Sequence, residues 1–357
     1  MPTDAIRLAA ARRWFPAGPL RIAEVFTAGL SGADVSLVEH TGGGGRYVLK
    51  RFGFGADREH AAFVHRLVQH VRNRADPHIA ELALMPAGGT LWQDEDGELW
   101  ELSRFVEGVS VPRPDGRQTA AAAAALAGVH EAAASLPGHA PRWAVPRSLV
   151  ERRRRAVEFA SRPWSRLYGG AIAAGLAVHP DLAVAVAARV SIAREVLAAS
   201  GGGLIDRVAR DDPPVCLVQP VLRDVWHEHV LFADRLDDRV SGFIDAQAAG
   251  IDTPVTDLAR LLGSWQPPAE TAHLPLARRW PEAWRAYAAV RPLPAGADHL
   301  AQLLHASGVV FGLDNWFRWT LEEGRRFRDA HRVLDRIDRL IAELPQAAAM
   351  VRHENVD

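Results

Sequence analysis

Cysteine is all but missing from this chain: Cys216 stands alone among 357 residues. No intrachain disulfide can form, and a cysteine-rich zinc site is excluded. A secreted disulfide scaffold is ruled out with it, and cytoplasmic residence is the expectation. An excess of either charge is missing too, with 42 basic against 43 acidic residues. That balance excludes a chain drawn as a whole to nucleic acid or to a membrane surface. Long apolar runs are absent. The first twenty residues hold no signal-peptide core. The alanine-rich stretch at residues 120–127 falls well short of the roughly 20 apolar residues that span a bilayer. No internal repeat and no long disorder-prone tract is present. The expected partners therefore include neither nucleic acid nor membrane.

What remains is length and apolar content. With 48% hydrophobic residues, the chain can bury one large core or two lobes around a cleft. The front reads as β-strands. Mixed polar and apolar residues run from Arg21 to Ala28, and residues 29–32 follow as a turn. Two β-rich runs, 35–39 and 46–52, flank the glycines at 42–45 and read as a hairpin. No helix start follows those glycines, so they read as a hairpin tip rather than a phosphate cradle. From Asp57 to Val71, Ala61, Phe63, Val64, Leu67, Val68 and Val71 recur at helical spacing. Strand-like runs return at 81–85, 90–93 and 99–106, the last two split by the turn at 94–97. Pro112 and Pro114 then break the sheet.

Helices dominate after that break. Residues 118–134 and 181–199 are rich in strong helix formers. The basic run Arg152 to Arg155 reads as a solvated helix face. Short apolar runs at 215–218, 230–232 and 240–244 make a strand–loop–strand insertion, and helix resumes from Asp257 to a last stretch at 332–344. The pattern predicts an α+β fold of two lobes, residues 1–108 and residues 109–357.

The polar residues of that insertion attract chemistry. Arg223, Asp224, His227, Glu228 and His229 interrupt an apolar stretch, and a second apolar strand ends on Asp245. Both aspartates stand where strand gives way to loop, a common place to display functional carboxylates. Taken singly, each is more often a solvated or capping residue. His227 and His229 also permit a transition-metal site, but no third ligand is evident, and a hydrogen-bonded histidine is the better reading.

The order of these elements resembles the aminoglycoside phosphotransferase and choline kinase-like family, over roughly residues 20–345. The family pattern is His-Gly-Asp, four residues, Asn, an apolar strand, and later a strand ending in Ile-Asp. Here Leu222, Arg223 and Asp224 are followed by His229 at the Asn position, then by Val230, Leu231 and Phe232, and later by Ile244 and Asp245. Asp257, before Leu258 and Ala259, is similar to a structural aspartate of the family. The residues from Asp314 to Trp319 look like its tryptophan-rich helix and read as a packed aromatic element.

The resemblance implies a bilobal protein-kinase-like fold, with a small β-rich N-lobe carrying one main helix and a larger, mostly helical C-lobe. It implies a nucleotide-binding lobe closing on a hinge at residues 100–108, and a C-terminal lobe with the catalytic loop and acceptor site. It also implies an ATP-dependent kinase acting on a small-molecule hydroxyl acceptor. In those roles Lys50 would orient the α and β phosphates, with Glu59 as its helix partner. Gly29, Ser31 and Gly32 would lie in the loop over the nucleotide. Asp245 would bind Mg²⁺, and Asp224 would accept or orient the proton of the attacking hydroxyl.

Two departures stand out. The family His-Gly pair is Leu222 and Arg223. The metal-binding Asn is His229, whose imidazole suits Mn²⁺ better than the oxygen-seeking Mg²⁺. Glu228, one residue earlier, is the alternative source of a metal oxygen. These departures keep open a second reading, a pseudokinase that binds nucleotide or a partner without transfer.

Overall fold

The computed structural model describes residues 2–26, 33–53, 55–74, 79–161, 164, 176, 178–199, 203–210, 212–327 and 329–352. Two compact units emerge. Unit 1 comprises residues 1–140, 220–250 and 285–291; unit 2 comprises 141–219, 251–284 and 292–357.

Unit 1 begins with helix α1 (Asp4–Ala11), capped by the Thr3 hydroxyl. A five-stranded antiparallel sheet follows, in the order β1-β2-β3-β5-β4. Its strands are β1 (Leu20–Phe26), β2 (Asp34–His40), β3 (Gly45–Arg51), β4 (Leu91–Gln93) and β5 (Leu99–Arg104). The expected hairpin joins β2 to β3, and Gly43 and Gly45 take the positive φ that the turn requires. Ala10, Ala11 and Trp14 of the N-terminal segment cover Val38, Leu49, Trp100 and Leu102 of the sheet. Burying each such aliphatic side chain contributes about 1.5–3 kcal/mol.

Helix α2 (Arg58–Arg72) starts where Asp57 caps the N–H groups of Glu59 and His60. Ala61, Val64, Leu67, Val68 and Val71 form its buried stripe, as the periodicity predicts. Residues 81–85 are not a strand. They make one bridge, Leu82 to Ser103, and bonds between Ala83 and Leu102 and between Arg104 and Glu81. Helix α3 (Gly116–Ala134) opens with a capping box of Asp115 and Gln118. Unit 1 also holds the two-stranded sheet of β8 (Val230–Phe232) and β9 (Val240–Phe243), both anticipated as short apolar runs.

Unit 2 is chiefly helical. It contains α4 (Arg147–Ser161), α5 (Pro180–Ala199), α6 (Gly203–Arg210) and α7 (Pro254–Ser264). A short turn, α8 (Leu276–Arg279), precedes α9 (Pro281–Val290), whose last residues fall in unit 1. Helices α10 (Ala297–Phe317) and α11 (Ala330–Arg352) lie along one another, and α10 also packs on α7. Leu261, Leu304, Leu313, Phe317, Val333 and Ile337 are almost wholly buried there. The aromatic run ends α10 and continues as a π-turn over Arg318–Glu322. Trp316 stacks edge-on against Trp319 at 5.0 Å. A three-stranded sheet, order β10-β7-β6, is built from β6 (Arg142–Ala144), β7 (Cys216–Val221) and β10 (Gly250–Asp252).

Among the described residues no helix is long and apolar enough to cross a membrane.

Candidate active site

The candidate residues of unit 1 meet where β3, the β7–β8 loop and the end of β9 come together. Lys50 lies near the end of β3, 9% exposed at its side chain, and its Nζ is 2.7 Å from Asp245 Oδ1. The two residues are 195 positions apart in sequence. Burial pushes the Asp245 carboxyl up, but the positive charge of Lys50 and the Lys50 hydrogen bond outweigh burial and hold it below the usual carboxylate range.

Composition adds a signal that motifs do not carry. Lys50 is the only lysine among the 42 basic residues; all the others are arginine. Arginine is thus the default cation of this chain, and a lysine here needs a local reason. A compact ammonium on a flexible stem can meet a carboxylate or a phosphate as a point charge, where a planar guanidinium would demand a fork of acceptors.

Asp245 stands just beyond β9 with φ 61 and ψ 58, in the left-handed region. Arg223 shares that conformation, with φ 66. These are the two non-glycine residues with positive φ among those described, and both belong to the motif loops. Such backbone costs on the order of 1 kcal/mol or more per residue and persists where surroundings over-determine it. It also explains the family glycine at position 223, since glycine alone enters this region without penalty. The Arg223 side chain in turn passes over Gly250, where a Cβ would come within 3.1 Å of its Cδ.

The loop between β7 and β8 carries Asp224 and a single 3-10 turn, His227–His229. His229 organises it. Its Nδ1 is 2.7 Å from the Asp224 carbonyl oxygen, and its Nε2 is 2.8 Å from Trp226 Nε1. The His229 carbonyl accepts from the Ile244 N–H at 3.0 Å, one residue before Asp245. His229 Nε2 lies 3.8 Å from Asp245 Oδ2. One chain of contacts thus runs from Asp224 through His229 to Asp245 and Lys50. Glu228 is half-buried on the same turn.

Other expected residues lie elsewhere. Glu59 is exposed on the first turn of α2 and makes no ion pair with Lys50. Its neighbour His60 reaches across instead, its Nε2 lying 3.0 Å from the Gln247 carbonyl in the loop after Asp245. Gly29, Ser31 and Gly32 fall outside the described residues. After β5, Val109 exchanges both backbone hydrogen bonds with Phe232 of β8. Gly108 makes that approach possible: its φ is 149, and a Cβ would stand 2.6 Å from the Phe232 carbonyl oxygen.

No group of three or more His, Cys, Asp or Glu side chains that could hold a metal occurs among the described residues. Mg²⁺ does not need one. It is usually held by one or two carboxylates with phosphate oxygens and water completing the shell. Asp245, 38% exposed at its side chain, fits that role. His229 does not, because both of its ring nitrogens are engaged. A groove of about 740 Å³ beside Ala121, Ala125 and Gly128 of α3 is lined by none of these residues. The site is marked by converging charge, not by the size of a cavity.

Strained carboxylate loops beside a buried lysine on a five-stranded antiparallel sheet, with a helical C-terminal part, define an α+β kinase-like phosphotransferase fold. The model of the phosphotransferase enzyme family matches residues 24–293, and the chain belongs to that family. No curated protein matches it. Among solved structures, an amicoumacin kinase in complex with AMP-PNP and Ca²⁺ is similar with a TM-score of 0.62 and 11% identity, covering 96% of this chain and 93% of that one. A spectinomycin phosphotransferase in complex with ADP and spectinomycin gives 0.60 at 10% identity, covering 96% and 98%. A microcompartment-associated aminopropanol kinase gives 0.57 at 15%, covering 95% and 96%. At such identities the likeness establishes the fold.

Proposed function

We propose that this chain is an ATP-dependent kinase that transfers the γ-phosphoryl group to a hydroxyl of a small molecule. The observation that carries the reading is the 2.7 Å contact between the chain's only lysine and Asp245. A cation and a carboxylate so placed can meet the two ends of one problem, the phosphates and their metal. Nucleotides in two of the similar structures, and small-molecule acceptors in their names, support it. In this reading residues 1–108 form the nucleotide lobe and residues 109–357 carry the catalytic loop and acceptor site.

Lys50 holds the α and β phosphates. Asp245 is the residue that would hold Mg²⁺, which neutralises charge on the phosphate oxygens when bound. The acceptor hydroxyl attacks the γ phosphorus while the bond to the β-phosphate oxygen breaks and ADP departs. Its proton passes to the Asp224 carboxylate. The acceptors of the similar enzymes differ widely, so the fold does not choose among hydroxyl compounds.

A second reading, a pseudokinase that binds nucleotide without transfer, is favoured by one observation: His229 offers no oxygen where the family places an amide. A screen of hydroxyl compounds for ATP consumption separates the two. Transfer by the wild type, reduced about 10²–10⁴-fold in Asp224→Asn, supports the kinase. Nucleotide binding without turnover for any acceptor supports the pseudokinase. The single lysine gives an independent check. A lysine-directed acyl-phosphate analogue of ATP should acylate Lys50, and ADP should block it; acylation that ADP leaves untouched would sink both readings.

A further inference from the structure

We propose that His229 and Trp226 are positioning residues for the two carboxylate loops, and that His229 is not a metal ligand. This rests on the kinase reading only for its kinetic consequence; the structural part stands alone. Which atoms can donate decides the state of the ring. A carbonyl oxygen can only accept, so the 2.7 Å contact with the Asp224 carbonyl requires a proton on His229 Nδ1. An indole N–H can only donate, so the 2.8 Å contact with Trp226 Nε1 requires a lone pair on His229 Nε2. Together the partners assign one species, the neutral ring protonated at Nδ1. Nε2 has one in-plane lone pair, and Trp226 occupies it. The same pair cannot coordinate a metal at Asp245, although Asp245 Oδ2 is only 3.8 Å away.

The backbone adds two further ties. His229 N–H closes the turn on the Trp226 carbonyl at 2.7 Å, and the His229 carbonyl takes the Ile244 N–H at 3.0 Å. One residue thus ties Asp224 by its side chain and the segment leading into Asp245 by its backbone. Both tied loops contain a residue in left-handed backbone, Arg223 and Asp245, which would relax if the ties were cut. Trp226 stands face-to-edge with the imidazole, 5.5 Å between centroids at 78°, and fixes the ring plane. With His229 so engaged, Asp245 would be left to hold the metal through its carboxylate, which would supply charge neutralisation at the phosphates.

The test has a spectroscopic and a kinetic arm. In protein labelled with ¹⁵N histidine, the two-bond ¹H–¹⁵N spectrum reports which nitrogen carries the proton, and His229→Gln identifies the signal by its loss. The expected signal is the neutral Nδ1–H form, unmoved by Zn²⁺ with ADP. An Nε2–H form, or an Nε2 resonance that moves with Zn²⁺, would overturn the clasp. In kinetics, His229→Asn keeps a donor near the Asp224 carbonyl and is expected to retain kcat within a few-fold. His229→Gln places its amide at the Nε2 position, loses that donor, and should lower kcat about 10- to 100-fold with the KM for Mg-ATP within about twofold. Trp226→Phe, a milder change that retains the packing, should fall between them. A rise in KM for Mg-ATP at unchanged kcat in His229→Gln would mark a ligand and refute the positioning role. Absence of turnover in the wild type would defeat the kinase reading, while the tautomer would still decide the clasp.

Discussion

Selected buried charges in the two units behave in opposite ways. In unit 1 two interior cations, Arg7 and Lys50, are paired with carboxylates at hydrogen-bond distance. Arg7 of α1 grips Asp34 at the start of β2 with two 2.8 Å bonds, at side-chain exposures of 6% and 3%, and its guanidinium is held above its ordinary value by the Asp34 bond. Asp245 is likewise kept charged by Lys50. In unit 2 several ions are buried without such matching. Desolvation lowers Arg152 to about 10 and His305 to about 3, the latter with help from Arg279 and Arg260. It also raises the Glu343 carboxyl and lowers Arg279. A close counter-charge keeps these unit 1 groups charged, whereas burial without one presses these unit 2 groups toward neutrality.

The contrast can be broken from either side. The largest effect is expected at Asp34→Ala, which removes both Asp34 bonds of the buried Arg7 guanidinium and leaves it the exposed Asp4. Urea unfolding should show a loss of about 3 kcal/mol. An apolar replacement of both partners, Arg7→Met with Asp34→Leu, should recover most of it. A loss near zero for the single variant would mean that the pair contributes nothing where it most should.

A smaller effect belongs to unit 2 and depends on pH. The folded pKa of His305 lies below its unfolded value, so the unfolded chain binds the extra proton between pH 6.5 and about 3. Stability is therefore full above pH 6.5 and declines as the pH falls through that window. Glu343, shifted upward, titrates in the opposite sense, so the difference between wild type and His305→Gln isolates the histidine. Between pH 6.5 and 5 the wild type should lose about 2 kcal/mol relative to the variant. Parallel curves would show that the ring is not desolvated.

The smallest expected effect lies at Glu59. Exposed and unpaired with Lys50, it should tolerate alanine within about 0.5 kcal/mol, with an unchanged thermal shift on ADP binding. A lost ADP response would return Glu59 to the role of lysine partner and weaken the picture of Lys50 committed to Asp245.

Local pattern carried much of this fold. The β2–β3 hairpin and helix α2 are written in spacing that needs no distant partner. Helix α1 leaves no periodic signal although Thr3 and Asp4 mark its start, because its eight residues are too few for periodicity to register. Residues 81–85 alternate like a strand but meet β5 at one bridge only, a matter of tertiary approach. At the site, the order of motifs put Lys50 and Asp245 together, whereas periodicity alone has no means of joining residues so far apart. Lys50 pairs with Asp245 rather than Glu59 in this structure, and a helix sequence does not reveal which carboxylate faces a strand. The state of His229 was invisible for a simpler reason: Trp226, three residues away, decides it through an indole proton that no motif records.

The Lys50–Asp245 contact makes ligand binding an exchange rather than an addition. The ammonium and the carboxylate each already have a counter-charge. A divalent cation arriving at Asp245 would free the ammonium for phosphate, and a phosphate taking the ammonium would free the carboxylate for the cation. Each event removes an obstacle to the other, and linkage makes the assistance mutual and equal in free energy. Nucleotide and metal should therefore saturate the protein cooperatively, and either alone should bind as though against a competitor tethered within the chain.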